Sequence, residues 1–278
     1  MDEAVNIKDY HIMAKKLRGY FDSLGFVEVY TQGRRSILAA CEDPTTIATY
    51  EIEGVKWPLP QTGQMWLEYD LLTNPGLPGV YCFTTSYRAE KKPIHGRHDI
   101  IFPMFEIESK GTITDLENLG RNLLRHLGFP EGISISYEDT CEKYGVSILE
   151  AEHEAMLNRD YGRVVLLHSF PERTSPFWNM RRNGDGTSSK IDFIIHDNET
   201  IGSAERSCNP DEMRERFHTI SDGEYSQKLF DEFGRERVEA ELEKFLSHNF
   251  FPRFGWGMGL LPRFRNAMKK EGLLESLN

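Results

Sequence analysis

The chain has 278 residues, of which 39% are hydrophobic and 28% are charged, an ordinary composition for a globular protein with a packed core. No run of residues approaches the roughly 20 consecutive apolar positions that span a bilayer, and the polar, acidic start argues against a secretory signal. The formal net charge of -11 disfavours nucleic-acid binding, because phosphate neutralisation needs basic surface, although a local basic patch would still allow it.

The first half of the chain mixes helical and strand patterns. The predicted elements are, in order, a helix over 8–24, a strand over 26–30, an irregular stretch to about 60, a helix over 65–72, and strands over 79–85 and 102–108. The last two strands enclose a long basic loop, and a loop of that length and charge is often functional.

The second half continues the same mixture. The predicted elements are a helix over 115–127, strands over 164–168 and 191–195, helices over 211–217 and 235–246, and a glycine-rich strand over 254–261 that leads into a basic helix. Without repeats or linkers, we expect a single domain over residues 1–278. The element order predicts an α+β fold in which helices flank a mainly antiparallel sheet.

The hairpin around the basic loop carries side chains that suit a nucleotide. Arg88 at a strand end can neutralise a phosphate, and Glu90 shares its face and can accept a hydrogen bond from the amine of adenine. In the loop, Arg97 and His98 can close on a terminal phosphate, and Phe102 offers a flat surface for a purine. Each residue alone is better explained by a solvated charged hairpin, but together they favour a nucleotide site.

A second group of charged residues suits a metal ion and a substrate. Asp192 and Glu199 are predicted on neighbouring strands, and two carboxylates plus substrate phosphates are what Mg²⁺ prefers. Arg206 follows a Gly-Ser-Ala segment and can bind a carboxylate or amide oxygen through its planar guanidinium. The plainer interpretation is a hairpin with surface charges.

These segments resemble the class II aminoacyl-tRNA synthetases, in particular the asparaginyl branch. Y-R-A-E, the basic loop and R-H-D-I-I-F-P-M-F-E-I-E are similar to motif 2, with Ile101 standing where the family carries an acid. The resemblance implies that Arg88 holds the α-phosphate, Glu90 the adenine amine, Phe102 the adenine ring, and Arg97 and His98 the γ-phosphate.

Two further segments imply the metal site and the amino-acid pocket. The register of Asp192, Glu199 and Arg206 is similar to the family pattern D-x6-E-x-x-G-G-x-x-R, in which the acids hold metal and ATP and the arginine binds the substrate side chain. T-G-Q-M-W-L-E resembles S-G-Q-L-x-x-E, which implies that Gln64 contacts the α-amino group and Glu68 the side-chain end. A carboxylate there accepts from an amide but repels a β-carboxylate, which favours asparagine over aspartate.

The end of the chain resembles motif 3, with departures. The glycines of G-W-G-M-G let the backbone approach a ligand, and Gly257 is expected at the amino acid. Arg263 stands one residue after the motif's arginine and is expected at the phosphates, with Arg265 as an alternative. A segment near residue 178 is similar to the family's A-F-Y-M-R, which implies that Phe177 and Trp178 wall the pocket.

The resemblance extends over residues 8–268 and implies an ATP- and Mg²⁺-dependent, AMP-forming ligase. Since residues 1–7 leave no room for an anticodon-binding OB-fold, we expect a free-standing asparaginyl-tRNA synthetase paralogue of the asparagine synthetase A type. It would activate asparagine and pass it to a non-tRNA or carrier acceptor. The alternatives are an aspartate–ammonia ligase, an asparaginyl-tRNA ligase that needs a partner, and a non-catalytic amino-acid or nucleotide sensor.

Partners and location follow from weaker signals. A degraded motif 1 around residues 26–32, with Gln32 in place of the usual proline, is expected at a homodimer seam. The four cysteines form no CxxC pair, which is typical of reduced thiols and predicts a cytoplasmic protein without a zinc site. The net acidity disfavours tRNA as a partner, and we expect no membrane association.

Overall fold

The structure is a computed structural model and describes residues 6–31, 33–91 and 99–274. Its strands are β1 (Val27–Glu28), β2 (Thr49–Ile52), β3 (Val55–Pro58), β4 (Gly79–Tyr87), β5 (Ile101–Lys110), β6 (Ile133–Ser136), β7 (Val164–Pro171), β8 (Thr187–Ile195), β9 (Asn198–Glu205) and β10 (Arg253–Gly259). Its helices are α1 (Ile7–Ser23), α2 (Gln64–Thr73), α3 (Ile113–Leu127), α4 (Tyr137–Tyr144), α5 (Ala151–Tyr161), α6 (Pro210–Thr219), α7 (Glu224–Phe233), α8 (Arg235–Leu246) and α9 (Arg265–Lys270).

One large sheet organises the molecule, in the order β1-β4-β5-β10-β9-β8-β7-β6. The six inner strands, in the spatial order β4-β5-β10-β9-β8-β7, all pair antiparallel with their neighbours. At the two edges, β1 pairs parallel with β4 and β6 pairs parallel with β7. The late strand β10 lies between β5 and β9, so Gly257 is paired with Glu106 on one side and Gly202 on the other. The predicted α+β fold with a mainly antiparallel sheet is confirmed.

Local sequence signals explain where several helices begin and end. The Asn6 side chain caps α1 by accepting from the backbone N–H groups of Lys8 and Asp9. A reciprocal capping box between Thr112 and Asp115 starts α3, and Gly128, at φ 102°, ends it. By contrast, the strand predicted over 26–30 is only two residues long, and the stretch expected to be irregular contains the small hairpin β2–β3.

Alternation along the central strands separates the core from a cavity. Phe105 and Ile107 of β5 point into an apolar core under α1 and α3, together with Phe193 of β8 and Trp256 of β10. Intervening residues face the other side of the sheet, as period-two geometry requires. That opposite side is covered by a second core built from α2 and α6–α8.

None of the helices in the described ranges is both long and apolar enough to cross a bilayer. The four cysteines are free thiols; Cys41, Cys82 and Cys141 are buried and Cys208 is exposed. No group of three or more His, Cys, Asp or Glu side chains in the described residues is arranged to hold a metal ion.

Candidate active site

A cavity of about 630 Å³ lies on the sheet face opposite the α1–α3 core. Most of the predicted site residues line it: Gln64, Glu68, Arg88, Glu90, Phe102, Glu199, Arg206, Gly257 and Arg263. Arg97 and His98 lie outside the described residues. Groups far apart in sequence are therefore brought to one cavity of a size that is usual for small-molecule sites.

Arg88 marks the outer end of the cavity and is held by one carboxylate. Its Nη2 donates to Glu42 Oε2 at 2.5 Å, and its Nε donates more weakly to Ser86 Oγ at 3.4 Å. The charge of Glu42 raises the pKa of Arg88 against the opposing effect of burial, and Asp43, Glu90 and Glu199 add to it. The guanidinium is thus a permanent cation beside a cluster of acids.

Asp192 and Glu199 approach each other across the β8–β9 hairpin. Asp192 is paired with Gly202, and a Cβ added to Gly202 would lie 3.8 Å from Asp192 Oδ1 and 2.8 Å from Glu199 Oε1. Burial raises the pKa of Asp192 to about 7; Lys190 opposes this effect, and the charge of Glu199 adds to it. The missing side chain of Gly202 on β9 therefore leaves room that both carboxylates border.

The carboxylate pair fits a divalent cation. Asp192 Oδ1 is buried without a hydrogen-bond partner, while Oδ2 accepts from Lys190 Nζ at 2.7 Å. A buried, unpartnered carboxylate oxygen next to a second carboxylate is costly unless a proton or a cation binds there. Two protein carboxylates completed by phosphate oxygens are the ligand set that Mg²⁺ commonly uses.

The structure distinguishes the two arginines considered after the glycine-rich strand. Arg263 lines the cavity, where its Nη1 donates to the Glu199 carbonyl at 2.9 Å and lies 3.9 Å from Glu199 Oε2. Arg265 instead donates to Asp9 Oδ2 at 2.6 Å and ties α9 to α1. Arg265 is not among the residues that line the cavity, so its placement favours Arg263 of the two.

Glu68 lies at the deep end of the cavity, but its oxygens already have partners. Arg253 donates to Glu68 Oε2 from Nε at 2.9 Å and from Nη2 at 2.7 Å. Asn179 Nδ2 donates to Oε1 at 2.6 Å. The role of Glu68 at the substrate side chain stays a prediction, but its charge is paired with Arg253, a residue that no sequence pattern marked.

Arg206 completes a buried group of charges around Glu68. It donates to Gln64 Oε1 at 2.5 Å and to both oxygens of Glu108 at 3.3 and 3.2 Å. Burial lowers the pKa of Arg206, but Glu108 and Glu68 raise it by more. The Nε2 group of Gln64 donates to the carbonyls of Trp256 and Ile107, so these hydrogen bonds hold the side chain in one orientation.

Glu106 and Glu108 are two buried carboxylates that the sequence reasoning left without a role. Glu106 accepts from Thr62 Oγ1, Thr84 Oγ1 and the Gly63 N–H, and burial raises its pKa. Burial also raises the pKa of Glu108 to about 7; Arg206 opposes that shift and Glu68 adds to it. The apolar–acidic alternation of M-F-E-I-E was the available signal, because it puts both acids on the cavity face of β5.

The prediction that Trp178 walls the pocket is wrong. Its side chain is fully buried in the second core, edge-on to Phe217 and Phe245, whereas Phe177 lines the cavity. The glycines of β10 also serve the protein itself. A Cβ at Gly255 would lie 1.9 Å from Glu108 Oε2, so the missing side chain there makes room for Glu108.

This fold and cavity belong to a known family. Residues 3–263 match the family model for class II tRNA synthetases (D, K and N), and the chain therefore belongs to this family. Among curated relatives, the chain is similar to the asparagine–tRNA ligase of Pelotomaculum thermopropionicum, with 28% identity over 173 residues. That alignment covers 50% of this chain and 39% of the relative.

Further comparisons point the same way. The asparagine–tRNA ligase of Desulforamulus reducens is 26% identical over 185 residues, covering 53% of this chain and 41% of that protein, so the aligned part spans about two fifths of these relatives. Asparaginyl-tRNA synthetase of Pyrococcus horikoshii, complexed with asparaginyl-adenylate, superposes with TM-score 0.73 at 20% identity over 96% of this chain and 67% of that one. The Entamoeba histolytica enzyme with the same adenylate gives 0.72 at 17% identity, over 95% and 63%. These structures share the fold.

Proposed function

We propose that this protein is an AMP-forming ligase that activates asparagine, or a close analogue with a neutral amide, as an aminoacyl-adenylate. The observation that carries the proposal is that Arg88 and Arg263, suited to phosphates, and Glu199, suited to a metal ion, line one cavity. Gln64 and Arg206, suited to an amino acid, line the same cavity. Relatives named as asparagine–tRNA ligases, and similar folds solved with asparaginyl-adenylate, support it.

In the proposed reaction, a carboxylate oxygen of the amino acid forms a bond to the α-phosphorus of ATP. The bond from that phosphorus to the bridging oxygen breaks, and pyrophosphate leaves with its electron pair. Arg88 stabilises charge at the α-phosphate, Arg263 orients pyrophosphate, Glu90 accepts from the adenine amine and Phe102 stacks on the ring. Asp192 and Glu199 would hold Mg²⁺, which supplies further neutralisation of phosphate charge. Positioning and electrostatics suffice, without a protein nucleophile.

The deep end of the cavity favours an uncharged substrate side chain. Glu68 and Glu108 are balanced by Arg206 and Arg253, so a bound β-carboxylate would add an uncompensated charge in a buried place. An amide instead offers one acceptor to Arg206 and donors to the acidic groups. This balance favours asparagine over the aspartate of an aspartate–ammonia ligase.

The acceptor and assembly are a second part of the proposal. We favour a non-tRNA or carrier acceptor because of the net charge of -11, with tRNA as the competing acceptor because the curated relatives are named asparagine–tRNA ligases. Homodimerisation through the β1 region is supported by Leu24, Val27 and Tyr30, which are 42%, 41% and 76% exposed.

Pyrophosphate exchange across a panel of amino acids tests the activation step. We expect exchange with asparagine that requires Mg²⁺ and the full chain. Exchange with aspartate, together with formation of asparagine from ammonia, would instead identify an aspartate–ammonia ligase. The absence of exchange with every amino acid would favour the non-catalytic sensor. Charging of bulk tRNA, measured beside exchange, separates the two acceptor classes.

A further inference from the structure

A lysine stands beside the acidic pair, and no motif of the sequence gives it a role. Lys190 precedes Asp192 by two residues on β8, so both side chains face the cavity side of the sheet. Its Nζ donates to Asp192 Oδ2 at 2.7 Å and lies 3.9 Å from the centre of the Phe170 ring on β7. The ammonium is therefore held in one place by an ion pair and a cation–π contact.

The position of Lys190 differs from that of a purely structural counter-ion. The residue lines the cavity and its side chain is 23% exposed, whereas Asp192 behind it is 8% exposed. An ammonium has three donors, and Asp192 takes one of them. Donors at the cavity side can therefore reach a phosphate oxygen while the contact with Asp192 persists.

The same contact sets the geometry of the carboxylate. Because Lys190 binds Oδ2 of Asp192, the unpartnered Oδ1 borders the space beside Gly202. Glu199 Oε1 borders the same space. The lysine thus contributes one positive charge to a place where triphosphate and metal would meet. It also lowers the net negative charge that the carboxylate pair presents to divalent ions.

We propose that Lys190 is a built-in monovalent cation of the nucleotide site, which binds a phosphate oxygen of ATP and orients Asp192 toward the metal. This inference rests on the proposed adenylation function and deepens it. It implies that part of the ATP affinity is independent of Mg²⁺. A lysine that only neutralised Asp192 would make no contribution to ATP affinity in a protein whose Asp192 is already replaced by asparagine.

The test is calorimetric titration of the full-length protein with ATP, in EDTA and in excess Mg²⁺. We expect the wild type to bind ATP under both conditions, more tightly with Mg²⁺. Lys190→Met should lose about tenfold or more in affinity in EDTA, as expected for one charge-assisted hydrogen bond. Lys190→Arg, which keeps the charge, should retain most of the metal-independent binding.

A matched control and a second variant keep the outcome interpretable. Lys270→Met removes a Lys–Asp pair with Asp197 at the turn of the same hairpin and should leave both affinities unchanged. If Lys190→Met does not fold, comparing Asp192→Asn with the double variant Lys190→Met/Asp192→Asn in EDTA removes the unpaired carboxylate and should show the same tenfold difference.

The other outcomes would contradict either the role of Lys190 alone or the proposed function as a whole. No loss of ATP affinity in EDTA for Lys190→Met, or equal affinities of Asp192→Asn and Lys190→Met/Asp192→Asn in EDTA, would overturn the role of Lys190 and leave the adenylation proposal standing. A wild-type protein that binds no ATP under either condition would reject the proposed function, and the role of Lys190 with it.

Discussion

The two ends of the cavity use the same kinds of charged side chain in different ways. At the outer end, the Arg88–Glu42 pair is 25% and 50% exposed. At the deep end, the Arg253–Glu68 pair is fully buried on both sides. Outer charges can exchange protein partners for ligand and water, whereas the deep pair is surrounded by protein partners, including Asn179 and the Ser207 carbonyl.

The difference teaches what each end contributes. A buried network is costly to leave half satisfied, so it fixes side chains such as Gln64 and Arg206 before any ligand arrives. A partly exposed ion pair contributes little to stability, so breaking it to bind a ligand costs little free energy. Damage to the deep end should therefore affect folding first, and damage to the outer end should affect chemistry first.

The largest expected effect comes from breaking the deep pair. Arg253→Met leaves the Glu68 carboxylate buried without its main cation, and should lower the free energy of unfolding by about 3–5 kcal/mol in a urea titration. Arg214→Met removes an exposed arginine paired with Asp211 and Glu243, and should cost less than about 1 kcal/mol.

The double variant Glu68→Gln/Arg253→Met sharpens this test. Because it removes both charges, most of the lost stability should return. A double variant as unstable as Arg253→Met would mean that packing of the long arginine side chain, and not the stranded charge, dominates at this end.

The next effect should appear in activity at the outer end. Arg88→Ala removes the cation assigned to the α-phosphate, and should lower the rate of asparagine-dependent pyrophosphate exchange by about 10²–10³-fold. Its unfolding free energy should change by less than about 1 kcal/mol, since the pair with Glu42 is partly exposed. An exchange rate close to that of the wild type would remove Arg88 from the chemistry.

The smallest effects are expected when one methyl group is added to a glycine at each end of the cavity. At Gly255 the new Cβ would meet Glu108 Oε2 at 1.9 Å and the Ile107 carbonyl at 2.5 Å, so Gly255→Ala should destabilise by about 1–3 kcal/mol. At Gly202 it would meet the end of a flexible side chain, Glu199 Oε1, at 2.8 Å. Gly202→Ala should therefore change stability less and mainly weaken Mg²⁺-dependent ATP binding; the reverse ranking would contradict the comparison.

Sequence patterns predicted the sheet well because alternation and helical spacing are local. The strands over residues 79–85, 102–108 and 191–195 and the helix over 115–127 are all present. The β2–β3 hairpin was missed because each strand has only four residues and most of them are exposed, so the alternation in T-Y-E-I and V-K-W-P is too short to stand out. The strand over 26–30 was overestimated because only two of its residues find a partner, on β4.

The cavity lining was predictable in part for a similar reason. Residues of the motif segments, such as Arg88 just after β4 and Glu199 on β9, line the cavity, and their roles remain proposals. Arg253 was missed because its partner Glu68 lies on α2, and such a pairing depends on three-dimensional contact. Trp178 was misassigned because adjacent residues in a turn point in opposite directions, and sequence alone did not tell which ring faces the core.

The placement of β10 between β5 and β9 has a consequence for how the chain folds. More than 140 residues separate β10 from β5, so the centre of the sheet closes only through contacts of very long sequence separation. Such topologies fold slowly, and until β10 arrives, β5 and β9 each present an unpaired edge that invites aggregation. During synthesis, a chain halted before residue 253 would hold most of the cavity residues but no continuous sheet on which to assemble them.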